Sequence, residues 1–402
     1  MRSKTSFSER LFPLLFFLYL IFSFLPFFPV FLTYGVVALI FIDCSLMTIQ
    51  KNGTIRINNT AYFKWIMIWI AIASISVLWS LRAKLALWAI VQCLLILIVC
   101  SSIIVYAKTQ DRLKTVIKTY YIAAVILLFT VLAFVDLHDL EGNRLTDSMD
   151  GDMEEWNSNY IALPLTVAIY MGYLVLWKNG GLFKRLLYVS LSAGMIIVVF
   201  LSGSRSALIS MMIPVMVIAF AKNRHFIKPL ILSVFALAVV YLLIMNVPLL
   251  YSNIGIRVEE LFMVLEDGEE AGDASRLLLA MSGLDWFTSK PILGYGLNNF
   301  RVLSDNLLYF GRNFYAHNNY VELLVDVGLV GFLVYYSAYF YLLKCRKKIA
   351  KPALPWYLAI TVFLLFADMT NVSYYEFTIQ IVLCLAFCIL NVYSNNNKYE
   401  IR

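Results

Sequence analysis

Hydrophobic and polar positions alternate along this chain on the scale of a bilayer, not of a surface helix or strand. Crossing the hydrocarbon core takes about 20 apolar residues in a helix. Twelve runs reach or approach that length, at 9–25, 28–49, 61–80, 84–106, 113–135, 158–177, 186–202, 206–221, 227–248, 319–343, 353–369 and 374–394. The first is short, contains Pro13 and is followed by Pro26. The N-terminus, with Arg2, Lys4 and Arg10 and then apolar residues, resembles a signal peptide, but no clear small-residue cleavage site follows, so it reads as a retained first span. Only Gly203, Ser204 and Arg205 separate the seventh run from the eighth.

The polar segments between the runs differ in charge. Numbered alternately from an inside N-terminus, the inside segments hold 23 of the 32 basic residues. Every inside turn is short and basic, which is the positive-inside pattern and predicts both termini in the cytoplasm. The outside set keeps Arg82, Lys84, Arg144, Arg205, Arg257, Arg276, Lys290, Arg301 and Arg312. Two outside segments are long. Residues 136–157 carry many acids and one base, Arg144, and residues 249–318 connect the ninth run to the tenth. Within the second loop, Leu277, Ala280, Met281, Leu284 and Phe287 recur at helical spacing, predicting an amphipathic helix at the membrane surface or over a cavity. Pro291, Gly294 and Gly296 then predict a turn-rich segment over 289–300. The expected organisation is an all-α polytopic membrane protein of about twelve spans. It has an N-terminal membrane region over 1–248, a long external loop over 249–318 and a C-terminal membrane region with a polar tail over 319–402.

Composition agrees with this reading. Of 402 residues, 61% are hydrophobic and 14% are charged, with a mean hydropathy of +0.79. That leaves too little polar surface for a soluble globule and excludes a disordered chain or a secreted disulfide scaffold. The net charge of +7 would raise nucleic acid in a soluble chain, but sidedness accounts for it here and no nucleic-acid partner is expected. Six cysteines form no CxxC pair and no Cys/His cluster, so they read as small buried hydrophobes.

Few outside residues could carry chemistry. Arg205 lies in SGSRSALIS, where small neighbours would let an anion approach, although a guanidinium there could also snorkel to headgroups. Arg276 opens the amphipathic stretch, and its alternative is pairing with the acids just before it. His317 lies in FYAHNNYVELL beside Tyr315, Asn318 and Asn319 and ahead of Glu322 and Asp326. Its unperturbed pKa suits proton transfer near neutrality, and a purely structural histidine is the alternative. Asp150-Gly151-Asp152 could hold a divalent metal or form part of a solvated acidic face; the second reading is favoured, and no metal or other cofactor is expected. Two guanidiniums suit a pyrophosphate through bidentate charge-assisted bonds, and an imidazole beside them can take a proton from a hydroxyl.

Together these motifs resemble the O-antigen ligase/polymerase family, which comprises Wzy-type polysaccharide polymerases and lipopolysaccharide O-antigen ligases. The resemblance is clearest over 195–335. SGSRSALI is similar to the family's arginine at the start of a span. ASRLLLAMSGLDWFTSKPILGYGLNNF is similar to its arginine, helix, Pro and Gly-x-Gly pattern, and FYAHNNYVELLVDVGLVGFL to its His-Asn motif and following span. The resemblance implies a GT-C-like, metal-independent and inverting glycosyltransferase using an undecaprenyl-diphosphate-linked glycan. Carried over by position, Arg205 and Arg276 would bind the diphosphate, and His317 would act on the acceptor hydroxyl. Asn318, Asn319, Tyr315 and Glu322 would support it. An upstream segment reads Asn157-Ser158-Asn159 where the family commonly has Asn-Pro-Asn, so Arg144 and Asn159 carry over only as secondary candidates. The implied partners are lipid-linked oligosaccharide, membrane lipid, a chain-length regulator and a flippase. The expected function is polymerisation of lipid-linked repeat units at the outer face of the cytoplasmic membrane. The alternatives are ligation of the glycan to lipid A-core and, from a different class, transport of lipid-linked sugars.

Overall fold

The computed structural model describes residues 7–25, 27–49, 60–134, 158–178, 180–223, 227–256, 259, 274–305 and 314–394. Among these the backbone is helical, with no strand beyond a single bridge between Ile349 and Ser394. The elements are α1 (Phe7–Phe24), α2 (Val30–Ile49), α3 (Ala61–Ile75), α4 (Ala83–Tyr106), α5 (Gln110–Phe134), α6 (Ser158–Gly172), α7 (Leu182–Leu201), α8 (Arg205–Lys222) and α9 (Ile227–Asn246). There follow α10 (Ala274–Ser289), α11 (Phe300–Asp305), α12 (Asn319–Cys345), α13 (Leu354–Ala367) and α14 (Phe377–Val392).

The protein is an all-α, multi-pass membrane protein. Ten of its described helical segments are long and apolar enough to cross a bilayer: α1, α2, α3 continued to Trp79, α4, α5, α6 continued to Trp177, α7, α8, α9 and α12. The runs expected at 353–369 and 374–394 form α13 and α14, which are apolar but only 14 and 16 residues long. Polar caps shorten them. Asp368 ends α13, and the Glu376 side chain accepts from Ile379 N–H at 2.6 Å to start α14. The break expected at Gly203 is real. Gly203 takes φ +64°, and the Ser204 hydroxyl caps α8 by accepting from Ala207 N–H.

The chain divides into two compact units. The first is Met1–Arg56 with Ser102–Glu259, and the second is Ile57–Ser101 with Glu260–Arg402. In the first, α1 packs on α2 and α5, and α6 packs on α5, α7 and α8. In the second, α12 is central and packs on α3, α10, α13 and α14.

α12 is not continuous. Gly328 takes φ +63° and divides it into two helical pieces. The backbone groups released there are taken by the turn-rich segment expected at 289–300. Tyr295 N–H donates to Val325 O at 3.0 Å and Gly296 N–H to Asp326 O at 2.7 Å. From beyond the break, Leu329 N–H donates to Pro291 O at 2.8 Å. Broken backbone at membrane depth is tolerated only when protein satisfies it, and this segment does so. Closeness demands glycine on both sides. A Cβ on Gly294 would lie 2.4 Å from Val325 O, and one on Gly328 would lie 2.3 Å from Ile292 O.

The connection between α3 and α4 holds the same segment from its other side. Leu297 N–H donates to Ser76 Oγ at 3.1 Å, Leu81 N–H to Tyr295 O at 3.2 Å, and Arg82 N–H to Asn299 Oδ1 at 2.7 Å. Gly328→Ala should therefore cost about 1–2 kcal/mol from its left-handed backbone alone, plus the clash. Gly35→Ala meets nothing within 4 Å and should be neutral or slightly stabilising. Melting temperature and folded yield of the two variants in detergent check this, and equal values would refute it.

Candidate active site around His317

The amphipathic helix expected at 276–289 is α10. It buries Leu279 and places Gly283 so close to α12 that a Cβ there would meet Val321 Cγ1 at 2.4 Å. Leu277, Met281 and Leu284, predicted on one apolar face, are exposed. The packed side joins a small core of Leu279, Phe300, Ala316, Val321 and Val325, with Trp286 edge-on to Phe300. This core lies beneath the segment that carries His317.

Three polar ties fix that segment. The Ser304 hydroxyl, from α11, donates to Phe314 O at 2.7 Å. Glu322 Oε2, from α12, accepts from Ala316 N–H at 2.6 Å. Asn319 N–H donates to Asp368 O at 2.8 Å. Between them His317 adopts φ +51°, a left-handed conformation uncommon for a residue with a side chain. Its ring contacts the Tyr315 ring, with centroids 3.9 Å apart. Its Nδ1 is buried and makes no hydrogen bond among the described residues.

α11 itself begins on a carboxylate from another helix. Asp326 Oδ2 accepts from Asn298 N–H at 2.6 Å, and Oδ1 accepts from Asn299 and Phe300 N–H at 2.9 and 2.7 Å. Acids within a span ordinarily face a polar cavity, but the oxygens of Asp326 are filled by three backbone donors, and its work is to hold the turn before α11. Glu322 is also fully buried; one oxygen holds Ala316, while Oε1 makes no hydrogen bond among the described residues.

This arrangement holds Arg301, which the sequence reading left among the outside bases without a role. Its Nε donates to Asn298 Oδ1 at 3.1 Å and its Nη2 to the Tyr375 hydroxyl at 2.9 Å. Its guanidinium carbon sits 5.1 Å from the centroid of the Tyr315 ring. Burial opposes its charge, but Tyr375, Glu322 and Tyr374 outweigh burial and hold its pKa above the ordinary value. The available signal was position, since Arg301 directly follows the Gly-x-Gly turn and its Asn-Asn-Phe run.

His317 responds to the same field. Burial, then the positive charges of Arg276 and Arg301, push its pKa down to about 4. The imidazole is therefore neutral at physiological pH and able to accept a proton. Arg276 is exposed in the first turn of α10.

The other candidates fall into place differently. Asn318 caps α12, its side chain accepting from Tyr320 and Val321 N–H. Asn319 is fully buried, donating to the Tyr336 hydroxyl and accepting from Ser373 N–H. Both make the site rigid through hydrogen bonds to protein. Arg205 and Asn159 lie in the first unit, where Asn159 Oδ1 accepts from the Ser204 hydroxyl at 2.6 Å and from that of Ser206 at 3.4 Å, on either side of Arg205. Arg144 and the pair Asp150 and Asp152 lie outside the described residues.

Residues 190–336 match the family described as O-antigen ligase. The chain carries a domain of the O-antigen ligase/polymerase family. The ligase/polymerase match contains Arg205, Arg276, Arg301 and His317, and it ends inside α12 beyond the break at Gly328. It supports ligase- or polymerase-type function by glycosyl transfer. No curated protein matches the chain.

The depressed pKa of His317 has a consequence for stability. Between pH 6.5 and about 4 the unfolded chain takes up a proton that the folded site refuses. Stability should therefore fall as pH drops through that window and be unaffected by this group above it. His317→Asn, which tolerates the left-handed backbone, should flatten the fall. Thermal unfolding at pH 7 and pH 5 of both proteins measures it, and parallel losses would refute it.

Proposed function

We propose that this protein polymerises oligosaccharide repeat units carried on undecaprenyl diphosphate, at the outer face of the cytoplasmic membrane, without a metal ion. The observation that supports the reading is a half-buried, neutral imidazole whose buried Nδ1 makes no hydrogen bond among the described residues, in the field of two guanidiniums and inside the matched domain.

In the proposed reaction His317 removes the proton from a hydroxyl of the acceptor sugar. The hydroxyl oxygen attacks the anomeric carbon of the donor glycan, and the bond from that carbon to the diphosphate oxygen breaks. The electron pair leaves with the diphosphate, and the Arg276 guanidinium on the His317 side neutralises its charge. Attack from the side opposite the leaving group inverts the anomeric centre. A base with a pKa near 4 stays unprotonated across the physiological range but has modest proton affinity. Much of the driving force must then come from stabilising the leaving group.

The second reading is ligation to lipid A-core, favoured by the description of the matched family itself. Acceptor choice separates the two. Purified protein given only lipid-linked repeats should make long polymer; transfer solely to lipid A-core would reject polymerisation.

Arg276→Lys keeps the charge but loses the planar fork, and should lower turnover by roughly tenfold or more with unchanged folded yield. His317→Asn should abolish polymer while lipid-linked substrate still reaches the outer leaflet; loss of that delivery would indicate transport instead. EDTA should leave turnover unchanged, and rescue of an EDTA-treated enzyme by Mg²⁺ or Mn²⁺ would bring Asp150 and Asp152 into the mechanism. The acid limb of the rate profile should lie near pH 4, not near 6.5.

A further inference from the structure

Arg301 was assigned no role by the motifs, yet its surroundings are those of a binding residue. It is half-buried, and among the described residues it has no carboxylate ion-pair partner. Glu322 acts on it through space only. A guanidinium has five N–H donors. The Nε–H and one N–H of Nη2 are used by Asn298 and Tyr375. The two on Nη1 and the second on Nη2 make no hydrogen bond among the described residues. The bonds that exist orient the plane of the group without neutralising it. A sheltered guanidinium held rigidly, with no carboxylate in ion-pair contact among the described residues, is suited to an anion that arrives from outside.

Its location narrows the anion. The Tyr315 ring contacts both Arg301 and His317. Both Arg276 and Arg301 act on the His317 charge. An anion drawn to Arg301 therefore sits beside the proposed base, where the bond to the leaving group breaks.

We propose that Arg301 binds the diphosphate of the lipid-linked donor, so that Arg276 and Arg301 form the guanidinium pair on the His317 side of the reaction. The assignment rests on the reading that the donor is a polyprenyl diphosphate glycan, and it adds a residue to that site. When the anomeric carbon–oxygen bond breaks, the electron pair passes to the diphosphate oxygen, and Arg301 donates hydrogen bonds to it. No proton changes hands, because the guanidinium stays charged. Tyr375 is a positioning residue that fixes the plane of Arg301.

The test is binding of three probes to full-length protein in nanodiscs: undecaprenyl diphosphate, undecaprenyl monophosphate and undecaprenol. Wild-type protein should prefer the diphosphate. Arg301→Gln should weaken diphosphate binding by roughly ten- to a hundredfold, the size of one or two charge-assisted hydrogen bonds, and leave undecaprenol unchanged. Arg301→Lys should fall between the two, and it decides the matter if the Gln variant is not recovered folded. Tyr375→Phe should lose diphosphate affinity by a smaller factor with the preference retained. Diphosphate binding within twofold of wild type in a folded Arg301 variant would overturn the assignment, even if turnover fell, because Arg301 would then act only on the Asn298 turn. A wild-type protein with no preference for the diphosphate over undecaprenol would reject the donor reading itself, a result distinct from a failure of Arg301 alone.

Discussion

A transmembrane helix that breaks within its length exposes carbonyls and amides that lipid cannot satisfy, and each left open costs several kcal/mol. In this protein the break at Gly328 is closed by residues 291–296, whose own backbone groups complete the bonds on both sides of it. The side chain just ahead of the break, Asp326, then takes up three consecutive amides from 298–300. One interruption thus anchors a surface segment into a span, and the short helix that presents Arg301 starts from that anchor. The Phe314–His317 segment is tied in turn to that helix and to α12. The chemistry-bearing residues inherit their rigidity from a defect in a helix.

The electrostatics follow from the same construction. Burial and two cations keep His317 neutral, while phenols and a buried carboxylate keep Arg301 charged. Neighbouring groups are pushed in opposite directions, the usual arrangement where one must take a proton and the other must hold an anion. Tyr315 is the common wall, its ring touching both the Arg301 guanidinium and the His317 imidazole.

Much of this was legible in the sequence because it depends on length and local spacing. Apolar runs of about twenty residues give spans, and the periodic Leu277, Met281 and Leu284 give α10. His317 stood out in the sequence as a candidate because its side chain suits proton transfer and polar residues adjoin it. Arg301 and the capping role of Asp326 were not found, because both depend on contacts between residues far apart in the chain. Asp326 reads in sequence like any acid within a span, and only the approach of residues 298–300 gives its oxygens their partners. Glycine spacing did signal the turn at 294–296, but not that a second glycine, Gly328, would receive it. Asn318 and Asn319 were recognised by motif and proved to have distinct local duties, one as a helix cap and the other in a buried hydrogen-bond network.

The left-handed backbone at His317 also limits how this site can evolve. Few side chains occupy that region readily, histidine, asparagine and aspartate among them, with glycine unrestricted. Glutamate or lysine would offer a proton-transfer group but would pay the conformational penalty of longer side chains in that region. The position is thus filtered twice, once by proton chemistry and once by the peptide conformation. In the proposed reaction histidine is the neutral base that passes both filters, so drift at this position leads to loss of that base more readily than to its replacement.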